Sequence, residues 1–131
     1  GEAVYDLKSN GVELATTGEQ RYRGLSGRPA LAEDAGMLFV YPYPRVLEFC
    51  MRGCDVPIDV AFLGADLRVV SIHQMRVEAD RAGQEVYSSG RPAQYALEVR
   101  GGALRRAGVT VGDRAELLGD IPATAKADEG P

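Results

Sequence analysis

The chain contains no apolar run approaching the ~20 residues that a membrane helix requires, so no membrane insertion by a helix is expected. Its opening stretch, "GEAVYDLKSNGVEL", has neither a charged n-region nor an apolar h-region, and no signal peptide is visible in it. Lysine is scarce, because thirteen of the fifteen basic residues are Arg. Those arginines are scattered rather than gathered into a stripe, and the net charge is −4. Both features argue against a nucleic-acid partner. Histidine occurs once, as His73, and cysteine twice, as Cys50 and Cys54. Three such residues fall short of the four ligands of a structural zinc site, so neither a metal nor a cofactor is expected. Four residues along a strand span ~13 Å, beyond the roughly 7 Å between Cα atoms that a disulfide tolerates. Two free, partly buried thiols are therefore expected; only a turn at Gly53 would bring them together.

Catalytic signatures are missing as well. The chain has no Gly-x-Ser-x-Gly elbow, Gly-rich phosphate loop, dinucleotide fingerprint, His-Glu-x-x-His or Cys-x-x-Cys. Enzymes outside these motifs exist, so catalysis stays open.

What is present suits one globular domain. A length of 131 residues with 45% hydrophobic and 26% charged residues is enough to bury a core without metal or disulfide staples. We expect a single domain over 1–131, with a core at about 4–118 and a tail at 119–131 of disorder-like composition. Ser9-Asn10-Gly11 marks a turn between two short strands. Thr16 stands three residues before Glu19, a capping-box spacing that predicts a helix over about 17–25. "GMLFVY" and "RVLEFCM" read as strands flanking a turn at Pro42-Tyr43-Pro44. "IDVAFLGADLRVVSIHQ" reads as a hairpin around Gly64-Ala65-Asp66. Residues 76–93 read as a long loop with a short strand at 85–88. "QYALEVR" alternates as a strand, "GGALRRAG" predicts a second helix over about 102–107, and "VGDRAELL" predicts a closing turn and strand. The expected fold is mainly β: a compact antiparallel β sandwich or barrel with two short helices.

The order and wording of these segments resemble the domain of unknown function family number 192. The matching residues are Arg21, Arg23, Gly24 and Leu25; Gly36, Met37, Leu38 and Phe39; Met51, Pro57 and Asp59; Leu97 and Glu98; and Gly108, Gly112 and Asp113. Where the family pattern has Trp-Met-Lys-Asn-Thr, this chain reads Cys50-Met51-Arg52-Gly53-Cys54. The cysteines thus take positions where the family uses other residues, and no shared function is expected of them. The resemblance implies a compact β domain with short helices, often exported, and no established activity.

Four residues are candidates for a binding site: Arg23, Arg52, Asp59 and Glu98. If Gly64–Asp66 closes the hairpin directly, Leu63 pairs with Leu67 and Asp59 faces Ser71, with His73 continuing that face. A carboxylate in such apolar company needs hydrogen bonds or a cation, because burying it alone costs several kcal/mol. Arg21, Arg23 and Arg52 are its candidate partners. Asp59 then reads either as an internal ion pair or turn cap, or as a pocket carboxylate. Glu98 points away from the Tyr95/Leu97/Val99 stripe, toward solvent or a pocket. Met37, Phe49 and Met51 are expected in the core, and Asp113 in a turn. The leading expectation is a module that binds a small molecule, glycan or peptide, outside the cytoplasm. The alternatives are an acid–base hydrolase or lyase using Asp59 or Glu98 with His73, and a protein-interaction domain without a functional pocket.

Overall fold

The structure, a computed structural model, describes residues 12–116. The first strand of the N-terminal pair and the 119–131 tail lie outside the described residues. In chain order the elements are β1 (Val12–Ala15), α1 (Gly18–Arg23), β2 (Gly36–Phe49), β3 (Ile58–Leu63), β4 (Val69–Met75), β5 (Tyr87–Arg100) and α2 (Ala103–Arg106). The fold is mainly β with two short helices, as expected. Its strands form one mixed sheet in the order β1-β2-β5-β3-β4, which stays open and does not close into a barrel. β1 runs parallel to β2, and every other pair is antiparallel.

The helix α1 is capped one residue later than its sequence suggests. Thr17 accepts a hydrogen bond from the Gln20 backbone N–H, and the Gln20 side chain reaches back to the backbone at Thr17. Gln20, rather than Glu19, thus completes the capping box. β2 replaces the two strands expected around Pro42-Tyr43-Pro44. The ladder to β5 breaks between Val40 and Arg45, so the prolines withhold no N–H that a partner needs. β5 likewise starts inside the expected loop, at Tyr87, and runs through Pro92. Among the described residues, the closing "VGDRAELL" segment pairs only through an isolated bridge between Arg68 and Arg114.

The hairpin register also differs from the sequence expectation. Asp59 pairs with Gln74, Val60 with His73 and Phe62 with Ser71, and a bulge follows before Leu63 meets Val69. The turn therefore spans more than Gly64–Asp66, and Ser71 and His73 lie on the face opposite Asp59. β3 itself is interior, with β5 on its other side, and all six of its residues are buried.

Alternation along β3 and β5 divides the core. One side of the sheet gathers Met37, Phe39, Tyr41, Met51, Ile58, Val60 and Phe62. The other gathers Ala61, Leu63, Val69, Val99, Ala103 and Leu104, and continues onto Val12, Leu38 and Val40. Because Asp59 sits opposite Val99 and Val60 opposite Glu98, the two candidate carboxylates point to opposite sides.

Candidate functional site

Asp59 is 2% exposed and holds the start of α2. Its Oδ2 accepts hydrogen bonds from the backbone N–H groups of Gly102 (2.9 Å) and Leu104 (3.4 Å). The N-cap position itself is Gly102, in a left-handed conformation with no side chain to offer, so β3 supplies the missing acceptor. None of Arg21, Arg23 and Arg52 pairs with it among the described residues. The Asp–Arg pair is corrected to a carboxylate–backbone cap, because the observed register turns Asp59 toward α2 and away from α1.

Glu98 occupies the other side and lines a cavity of about 270 Å³. This cavity lies between α1, the Gly24–Ser26 turn, β2 and the 50–54 segment, and Arg23 and Arg52 line it too. Three of the four candidate residues thus converge on one cavity and Asp59 does not. Sequence reasoning did not assign Phe39, Tyr41 and Cys54 to a site, although they also line it. Their signal was weak: strand alternation puts Phe39 and Tyr41 on one face of β2, but only tertiary packing shows that this face borders a cavity.

The electrostatics of the cavity centre on Glu98. It is 5% exposed, and no hydrogen bond or ion pair engages its carboxyl among the described residues. Desolvation by burial pushes its pKa up to about 8, so the group is largely neutral at pH 7. Burial likewise pushes the Tyr41 hydroxyl up to about 12, against the opposing pull of Arg21 and Arg45. Burial, and after it the neighbouring Glu98, push the Cys54 thiol up to about 11. Cys54 is thus a poor nucleophile, and both cysteines are unbridged, with Cys50 exposed.

The arginines differ in what holds them. Arg21 is buried, donates to the backbone carbonyls of Thr16 (2.8 Å) and Val40 (3.0 Å), and lies 5.0 Å over the Tyr41 ring. Arg23 is largely exposed and meets Glu19 one helical turn away. Arg52 stacks its guanidinium 4.0 Å over Tyr22 and donates to the Tyr22 carbonyl. Phe39 and Phe49 meet edge to face at 4.9 Å.

His73 does not join either carboxylate. Its Nε2 lies 2.7 Å from the Ser88 carbonyl, and its ring packs against Phe62 and Tyr87. It shares a face with Glu98, but β3 intervenes, a separation of about 10 Å at ordinary strand spacing. Asp59 faces the other way. The acid–base pairing of either carboxylate with His73 is therefore not assembled. The described residues also contain no group of three or more His, Cys, Asp or Glu side chains able to hold a metal. Asp113 sits in the expected turn, accepting from the Thr110 N–H. No helix among the described residues is long and apolar enough to cross a membrane.

Two solved structures are similar to this chain. A protein of Sinorhizobium meliloti 1021, provisionally described as a transcription regulator, is 35% identical with a TM-score of 0.72, covering 79% of this chain and 78% of its own. A protein of unknown function from Novosphingobium aromaticivorans DSM 12444 is 32% identical with a TM-score of 0.69, covering 79% of this chain and 71% of its own. No curated protein matches. The model of the family DUF192, described as an uncharacterised ACR, matches residues 4–117, and the chain belongs to that family.

Proposed function

We propose that this protein is a small-molecule-binding module and that Glu98 is its internal recognition group. One observation carries the reading: Glu98, 95% removed from solvent and with no partner for its carboxyl among the described residues, lines a cavity beside phenyl rings. Buried polar groups are nearly always hydrogen-bonded, so an unengaged one at a cavity wall is suited to a ligand. As a neutral carboxyl it both donates and accepts, which fits a hydroxyl or an amide. Arg23 and Arg52 stay in the proposed site. Asp59 leaves it, because its lone pairs already serve α2.

The provisional description of the Sinorhizobium meliloti structure does not lead us to a nucleic-acid partner. Helices of six and four residues and a net charge of −4 offer little to a major groove.

A thermal-shift screen against small sugars, amides, alcohols and acids tests the reading. A ligand at 100 times its dissociation constant stabilises by about 2.7 kcal/mol, which is several degrees for a chain of this size. At least one compound should raise the melting temperature of wild type and of Asp59→Asn equally, and should lose that effect in Glu98→Leu. Silence across the screen, or an undiminished shift in Glu98→Leu, would refute it.

A further inference from the structure

We infer that the ligand is a small hydroxy-carboxylate, its charged end held by Arg52 and its hydroxyl by Glu98. This rests on the cavity reading above and adds the ligand's charge and polarity.

Arg52 is an organised cation without an acidic partner among the described residues. Its backbone is held from two sides. Ser26 donates from Oγ to the Arg52 carbonyl at 2.9 Å, and the Gly27 N–H donates to the Gly53 carbonyl. Across from them, the Gly53 N–H donates to the Arg81 carbonyl, while the Arg81 guanidinium returns a bond to the Gly53 carbonyl. Gly83 packs so close to Arg52 that an added Cβ would come within 2.7 Å of its Cβ. The guanidinium is in turn laid on Tyr22, which is itself 61% exposed. One nitrogen is used by the Tyr22 carbonyl, and no carboxylate meets the rest. An arginine preorganised in this way keeps its planar fork for a carboxylate.

The charge balance points the same way. Arg23 is offset by Glu19 and Glu98 is largely neutral at pH 7, which leaves Arg52 as a cation on the cavity wall with no acidic partner among the described residues. Its field opposes a cationic amine and favours an anion. At about 270 Å³ the cavity falls just below the usual range for drug-sized ligands, so a single ring with two substituents suits it. Phe39 and Phe49 would face that ring.

Isothermal titration of the chain at pH 7 and low salt separates the possibilities. The probes are 4-hydroxybenzoate and 4-hydroxyphenylacetate, each beside its neutral carboxamide. At least one acid should bind tenfold or more tighter than its amide. Arg52→Gln should bring that ratio to within about threefold while the melting temperature holds. Added sodium chloride should weaken the acid and leave the amide unchanged, a readout that needs no variant. Equal affinity of acid and amide, a salt-independent acid, or an unchanged ratio in Arg52→Gln would overturn the inference and leave Glu98 as the recognition group. Silence of both acids also overturns it; the cavity reading falls if the sugars, amides and alcohols of the thermal screen are silent too, or if their shift survives in Glu98→Leu.

Discussion

At the scale of single residues, Glu98 and Asp59 show what an aqueous carboxylate meets inside a β domain. Asp59 finds two backbone N–H groups at the start of α2 and is satisfied. Glu98 finds none among the described residues and keeps its proton, which makes stability depend on pH. Its carboxyl is pushed from an ordinary 4.5 to about 8 by burial. Below about pH 4.5 it is protonated in both the folded and the unfolded chain. As pH rises toward 8 the unfolded chain releases the proton while the folded one holds it, and stability drains away. Above about 8 both states are ionised and the loss levels off. The total is on the order of 5 kcal/mol. Glu98→Gln cannot ionise, so it should gain on wild type steadily from pH 4.5 to 8 in denaturant melts. A difference independent of pH would show that a cation compensates Glu98 in solution.

At the scale of elements, the two long strands carry one wall of the candidate cavity. β2 contributes Phe39, Tyr41, Glu48 and Phe49, and β5 contributes Glu98. Their ladder begins where Gly36 faces Val99, and there the backbones approach so closely that a Cβ on Gly36 would overlap the Glu98 carbonyl. A backbone atom cannot swing aside as a side chain can. Gly36→Ala should therefore cost more than 2 kcal/mol in denaturant melts and weaken any ligand response, since Glu98 moves with its carbonyl. A loss under about 0.5 kcal/mol would mean that β2 and β5 separate there easily. Alternation in "QYALEVR" and the apolar run "GMLFVY" were enough to find these strands, but not their length. Pro42, Pro44 and Pro92 looked like ends because proline donates no ladder bond. Pro42 and Pro44 are tolerated because the register shift after Val40 leaves no N–H in demand, and Pro92 sits opposite Val46 next to the second shift; both are properties of the paired strand that one sequence segment does not display.

At the scale of the molecule, β3 and the C-terminal half of β5 form the middle of the sheet. Residues 95–99 pair with β2 on one side and β3 on the other, and β3 pairs in turn with β4. β1 and β4 are the edges. Amide hydrogen exchange should be slowest at 58–63 and 95–99, approaching the global unfolding free energy, and faster along β1 and the outer side of β4. Uniform protection across the sheet would mean that the edges open only with the whole domain.

The sequence alone determined the fold class, the family, both helices to within a residue or two, and three residues of the candidate cavity. These follow from local rules: periodicity, capping spacing, glycine placement and the matched motifs. The tertiary structure decided the rest. It turned Asp59 away from the arginines, left Glu98 without a partner among the described residues, kept His73 a strand away from Glu98, and set Arg52 on Tyr22. The strand placements depend on register, in which a side chain changes face with every single-residue step, and the Arg52–Tyr22 contact depends on how the 50–54 loop meets α1. The bulge between Phe62 and Leu63 resets that count without leaving a mark in the hydrophobic pattern.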